Sequence, residues 1–278
     1  MAQETQTGGA RAPIAVITGA SSGLGAEFAR IAAREGFRTV LVARREKRLE
    51  ALAAEIDHAT GLKPWVLALD LTDPHQRSRL FDCLETKGLA PDILINNAGF
   101  GDFGPMVDAD DDRIRGMIEL NIAALTELSI RAARLMEHAG RGRILNIAST
   151  AAFQACPELG VYGATKAYVL SFTESLAEEL RARGAAVSAT AYCPGPTATE
   201  FGAAAGIEES AFSGIQLDKW ERAAAPCAEV GWRAMMHGET VRIDGFWNRA
   251  IAVCAQVLPR SWGRRIAAKI LGNVPKKA

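Results

Sequence analysis

The chain is predicted to fold as an α/β protein built on an open parallel sheet. Three observations lead there. Short apolar runs that fit buried strands alternate with stretches of helical periodicity. The first run ends in a glycine-rich turn that opens a helix, the arrangement in which backbone N–H groups can hold a phosphate. Polar residues then gather where later runs end, at the carboxyl edge where open parallel sheets place their ligands.

Composition bounds the rest. At 278 residues the chain makes one large domain with a substantial core. Apolar residues make up 49% and charged ones 23%, which describes a globular protein rather than a disordered one. Thirty-two basic residues balance thirty-two acidic ones, so no global field favours nucleic acid. The five cysteines and four histidines are dispersed without metal-ligand spacing, so no metal site and no disulfide framework is expected. Residues 1–12 are polar and lack the apolar run of a signal peptide, and read as a flexible leader. No apolar run approaches the roughly 20 residues that span a bilayer, and the expected location is cytoplasmic.

Ile14 to Thr18 reads as the first strand, followed by the turn Thr18-Gly-Ala-Ser-Ser-Gly-Leu-Gly25 and a helix from about Leu24 to Glu35. Glycine is needed in such a turn because a Cβ would obstruct approach of the phosphates. Arg38 to Val42 is the second strand, leading through Ala43-Arg44-Arg45 to a helix over about 46–58. An acidic residue at the end of this strand would bind a ribose 2′-hydroxyl, whereas arginine accommodates a 2′-phosphate. Arginine also opposes the macrodipole at a helix start, so Arg44 and Arg45 point to NADP(H) rather than NAD(H).

Pro64 to Leu69 is the third strand, and Asp73-Pro74 caps a helix to about Lys87. Asp70, at the strand's end, is either an acceptor for an adenine amino group or a turn former. Asp92 to Ile95 is the fourth strand, running into Asn96-Asn97-Ala98-Gly99, where poor strand formers imply side chains that tie backbone beside a ligand. A long helix is expected over 110–138, with Asn121 inside it as a satisfied local bond or a functional distortion. Arg143 to Ala148 is the fifth strand and delivers Ser149 to the carboxyl edge. The next helix, to about Arg183, carries Tyr162 and Lys166, and Ala186 to Ala191 is the sixth strand, broken by Cys193-Pro-Gly-Pro-Thr197.

Tyr162 and Lys166 stand four residues apart, on one helix face. Free phenol titrates near ~10, and a neighbouring cation favours phenolate and lowers that value. Ser149 could hold a substrate oxygen beside the pair. A lone Tyr-x-x-x-Lys is an ordinary helix surface pair; the surrounding motifs make this one different.

Over roughly residues 14–199 the chain resembles the short-chain dehydrogenase/reductase family, through the Thr18–Gly25 turn, Asn96–Gly99, Asn121, Ser149, Tyr162, Lys166 and Pro194-Gly195. The resemblance implies a doubly wound, seven-stranded Rossmann-type sheet in three α/β/α layers, with residues 241–243 as the seventh strand. It implies a nicotinamide cofactor and hydride transfer between a carbonyl and an alcohol. Tyr162 would be the general acid or base, and Lys166 would lower its pKa. Ser149 would polarise the carbonyl, and Asn121 would hold a water linking Lys166 to solvent. Cofactor contacts would come from Gly19, Ser21, Ser22, Gly23, Leu24, Gly25, Arg44, Arg45, Asp70, Leu71, Asn97, Ala98, Gly99, Tyr162, Lys166, Pro194, Gly195 and Thr197. The catalytic domain would span 13–245, with a homodimer or homotetramer as the expected assembly. The rival readings are an NAD-linked alcohol dehydrogenase and a cofactor-sensing protein without turnover, which would not need all four catalytic positions.

Residues 198–215, rich in alanine, glycine and serine, read as a flap over the substrate, with Phe153, Phe201 and Phe212 as an apolar lining or as routine packing. Residues 246–278 read as a helical extension of the same domain, with helices near 247–258 and 262–271 parted by Pro259. Its basic amphipathic composition could contact an anionic membrane surface; packing on the substrate side or self-association is the favoured reading.

Overall fold

The computed structural model describes residues 12–86, 89–207, 222–259, 261–263 and 265. The leader up to residue 11, residues 208–215 of the expected flap with Phe212, and most of the expected helix 262–271 lie outside the described residues. Strands β1 (Ile14–Thr18), β2 (Arg38–Ala43), β3 (Trp65–Ala68), β4 (Ile93–Asn96), β5 (Gly142–Ile147), β6 (Val187–Cys193) and β9 (Val241–Ile243) form one seven-stranded sheet in the order β3-β2-β1-β4-β5-β6-β9. All of its pairings are parallel. β7 (Thr197–Ala198) and β8 (Arg222–Ala223) make a separate two-residue ladder.

The apolar runs are continuous because both sheet faces are covered. Ala15 and Ile17 face the layer of α1 (Gly23–Arg34), α2 (Glu46–Thr60) and α8 (Ala224–Met236), through Phe28, Leu49 and Trp232. Ile14 and Val16 face the layer of α3 (Pro74–Glu85), α5 (Leu125–Ala139) and α6 (Gly160–Ala182), through Phe81, Met136 and Leu180. Alternation of side chains along each strand thus feeds two cores. Asp73 caps α3 by accepting from the His75 N–H at 2.9 Å, with Pro74 at the first helical position.

The expected helix 110–138 is α4 (Asp111–Ile118), a π-helical turn (Glu119–Ala124) and α5. The distortion centres on Asn121, whose side chain is bonded outside the helix. Helix α8 and the β7–β8 ladder had no counterpart among the expected elements. Helix α8 and the ladder are tied to the sheet edge: the Tyr192 hydroxyl donates to the Cys227 carbonyl of α8 at 2.8 Å, Cys227 Sγ lies 3.3 Å from Asp244 Oδ2, and Arg222 of β8 pairs with Asp244. Helices α7 (Phe201–Ala204), between β7 and β8, and α9 (Phe246–Val257), beyond β9, complete the named helices, and α9 packs on the 3-10 turn Thr150–Phe153. Among the described residues no helix is long and apolar enough to cross a membrane.

Candidate active site

The strand order reverses between β1 and β4, the place where an open sheet leaves a crevice at its carboxyl edge. There the glycine turn and the β4 asparagine lock together. Thr18 Oγ1 accepts from the N–H groups of Asn97 and Ala98, both at 3.0 Å, and Asn97 Nδ2 donates to the carbonyls of Thr18 and Gly19. Gly19 and Gly23 take φ of +66° and +54°, and a Cβ on Gly25 would stand 2.2 Å from the Gly19 carbonyl oxygen, so the turn closes only with glycine there. The first turn of α1 has neither a side-chain cap nor an acidic residue. Its free N–H groups and the Ser21 and Ser22 hydroxyls form a donor set suited to a pyrophosphate, so the cleft fits a dinucleotide. Leu24 packs into the core beneath the turn.

The two arginines behave differently. Arg44 is exposed and lies 3.9 Å from Asp70. Arg45 folds back on the turn, donating to Ser21 Oγ at 3.0 and 2.9 Å and to Ser22 Oγ at 2.7 Å. Asp70 acts as a turn former: its Oδ1 accepts from the Thr72 N–H and hydroxyl at 3.0 and 2.8 Å. The Leu71 side chain belongs to the core, and its carbonyl accepts from buried Arg77 at 2.9 Å.

A second cluster forms where β5, the π-turn and α6 converge. Ser149 follows β5 and caps the 3-10 turn, its Oγ accepting from the Ala151 N–H at 3.1 Å. Tyr162 and Lys166 are both buried. Lys166 Nζ donates to the Ile147 carbonyl at 2.7 Å and lies 5.7 Å from the Tyr162 ring centroid. Asn121 Nδ2 donates to the Phe100 carbonyl at 2.9 Å and to Thr165 Oγ1 at 3.1 Å, while its Oδ1 accepts from the Phe100 N–H. These bonds hold the π-turn. Gly99 sits between this asparagine and the lysine: a Cβ there would be 3.0 Å from Asn121 Oδ1 and 3.5 Å from Lys166 Nζ.

Burial sets the electrostatics of the pair. Burial pushes the Tyr162 phenol up to about 12, against a smaller opposing effect of its hydrogen bond with Ser149. Burial also brings the Lys166 ammonium down to about 8. The Lys166 ammonium donates to the Ile147 carbonyl, and the burial of both groups outweighs its pull on the phenol.

The Pro194-Gly195 turn joins the cluster through its backbone, the Pro194 carbonyl accepting from the Thr150 N–H at 3.0 Å. Thr197 Oγ1 donates to the Gly195 carbonyl at 3.0 Å. Sequence reasoning missed Asn248 on α9, which fills the space over Gly195 and donates to the Asp244 carbonyl at 2.8 Å. It also missed Thr199 and Glu200. Phe201 of the expected lining lies tilted against Tyr162, whereas Phe153 packs in a core cluster with Val169.

The short chain dehydrogenase family matches residues 13–210. A short-chain type dehydrogenase/reductase from Picea abies is 31% identical, over 75% of this chain and 79% of its own length. A very-long-chain 3-oxoacyl-CoA reductase from Mycosarcoma maydis is 34% identical over 64% of this chain, and the chain spans about half (52%) of that relative's length. Among solved structures, a short-chain dehydrogenase from Sphingobium yanoikuyae in complex with NADPH superposes with a TM-score of 0.77 at 31% identity, covering 96% of this chain and 98% of the other.

Proposed function

We propose that this chain, which belongs to the short-chain dehydrogenase/reductase family, interconverts a ketone or aldehyde and its alcohol with NADP(H). The carrying observation is the placement of Ser149, Tyr162 and Lys166 at the carboxyl edge of the sheet, next to a glycine turn fitted to a dinucleotide. The bound nicotinamide supplies the hydride. Ser149 and Tyr162 would hydrogen-bond the carbonyl oxygen, on which negative charge develops. Tyr162, protonated at neutral pH as an ordinary phenol is, donates its proton to that oxygen. As the phenolate forms, the Lys166 cation beneath the ring favours it, and Asn121, beside Gly99 and Lys166, would seat a water that returns a proton.

Preference for NADP(H) is supported by Arg44 and Arg45 following Ala43 where an acid would mark NAD, and by the NADPH complex of the Sphingobium yanoikuyae relative. The same reading makes residues 13–245 the catalytic unit and residues 246–278 an extension of the same domain, in which Asn248 of α9 lies over Gly195. Exposed Ile118 and Tyr168 on α4 and α6 support pairing of subunits through those helices, measurable as a dimer or tetramer mass in light scattering. Five free cysteines support a reducing, cytoplasmic setting.

The test is consumption of NADPH, with NADH in parallel, against small diketones, 3-ketoacyl thioesters, bulky cyclic ketones and long-chain aldehydes. Turnover of one class with NADPH is expected. Better service by NADH would overturn the cofactor assignment, and binding without turnover of any class would favour the sensing alternative.

A further inference from the structure

Glu200 stands far from the arginines in sequence and touches both in space. Its Oε2 lies 2.6 Å from Arg45 Nη1, and its Oε1 accepts from Arg48 Nη1. Arg45 spends its remaining donors on Ser21 and Ser22 of the glycine turn. Two guanidinium groups and two hydroxyls converging on one place is a donor set suited to a phosphate monoester. Here the chain's own carboxylate fills it. Ser21, Ser22, Arg48 and Glu200 share the wall of one cavity of about 400 Å³ that opens to solvent, so an incoming anion reaches them without disturbing the core.

Charge favours an exchange. Two guanidinium cations against one carboxylate leave a positive excess, which a phosphate carrying about −1.5 to −2 neutralises better. The flanking residues give the exchange a direction. The Thr199 side chain lies against Gly23, where a Cβ would be 3.0 Å from it, and Phe201 packs on Tyr162. Residues 199–201 therefore run from the phosphate turn to the candidate catalytic tyrosine, with Glu200 as the pinned point between them.

We infer that Glu200 competes with the cofactor's 2′-phosphate for Arg45 and Arg48, and so limits how tightly the phosphorylated cofactor is held. The inference rests on the NADP(H) reading above. Each partner is near half-exposed (44%, 50% and 49% for Arg45, Arg48 and Glu200), and exposed ion pairs are weak. The expected effect is therefore several-fold rather than thousand-fold.

The experiment is fluorescence titration of NADPH and NADH into the full chain at fixed ionic strength, for the wild type, Glu200→Gln and Arg45→Ala. Glu200→Gln is expected to tighten NADPH about fivefold and leave NADH within twofold, while Arg45→Ala weakens NADPH alone. A wild type that prefers NADPH and loses that preference in Arg45→Ala, but gains nothing in Glu200→Gln or gains equally for both cofactors, overturns the inference and leaves the cofactor reading standing. A wild type that holds NADH at least as well as NADPH, with Arg45→Ala altering neither, overturns both.

Discussion

Phe201 lies against Tyr162, with ring centroids 5.0 Å apart and planes inclined by 51°. The contact helps keep water from a phenol that burial holds near 12. Phe201→Ala is expected to admit water and lower that value towards 10, moving the pH profile of alcohol oxidation to lower pH. An unmoved profile would show that Phe201 does not set the tyrosine's environment. Tyr162→Phe, measured alongside, is expected to cut turnover by at least about a hundredfold with NADPH binding intact; retained turnover would end the assignment of Tyr162.

Two glycines are expected to respond oppositely to alanine. At Gly25 the new methyl would meet backbone, 2.2 Å from the Gly19 oxygen, and Asn97 Nδ2 at 2.5 Å. Overpacking of that kind costs about 1–3 kcal/mol, and Gly25→Ala should also weaken cofactor binding. At Gly116, inside α4, the nearest atom is a Phe100 ring carbon at 3.6 Å, an ordinary contact. Gly116→Ala should stabilise by about 0.5–1 kcal/mol. Thermal unfolding of the two variants distinguishes them, and a shared direction would refute the contrast.

Lys166 gives stability a pH dependence of known sign. Its folded value, about 8, lies below the ordinary 10.5. Between those values the unfolded chain binds the extra proton, so this group's contribution to stability rises with pH across the window. At about 1.4 kcal/mol per unit the rise is about 3 kcal/mol. Buried Cys156, Cys193 and Cys227, pushed up to about 11, 12 and 11, act in the opposite direction from pH 9 upward. They are common to wild type and Lys166→Met, so the difference between the two isolates the lysine. Urea unfolding at pH 7.5 and 9.5 should show wild type gaining on Lys166→Met at the higher pH; parallel curves would contradict it.

Asn146 is fully buried at the centre of a side-chain network beneath the site. Its Oδ1 accepts from Asn96 Nδ2 at 2.9 Å and from the Ser129 hydroxyl at 3.2 Å, and its Nδ2 donates to Thr173 Oγ1 at 2.9 Å. Asn146→Leu leaves several buried groups without their partner and should cost about 3 kcal/mol, against about 1 kcal/mol for Ser129→Ala. Equal small losses in urea unfolding would mean that the network is not coupled.

The strands and most helices were legible because their signals are local. An apolar run such as Ile14–Thr18 that ends in glycine, or an Asp73-Pro74 helix start, announces itself within a few residues. Tyr162, Lys166, Ser149 and Asn121 were legible as a set through motif spacing. Helix α8 was not, since Pro226 and Gly231 within Ala224–Met236 read as helix breakers. The β7–β8 ladder is too short to show a period. Glu200 and Asn248 were illegible for another reason: their partners, Arg45 and Gly195, are 155 and 53 positions away, and nothing in a linear spacing marks such pairs. The reversed acidities of Tyr162 and Lys166 likewise follow from burial, which four-residue spacing does not report.

The bonds from Thr18 and Asn97 across the β1–β4 boundary have a thermodynamic consequence. They fix the backbone of the glycine turn while the protein folds, so its conformational entropy is already lost when a ligand arrives. A cleft whose floor is preorganised spends less of its interaction energy on ordering itself. Loosening Asn97 should therefore appear chiefly as a less favourable binding entropy, even where every group that touches the dinucleotide is unchanged.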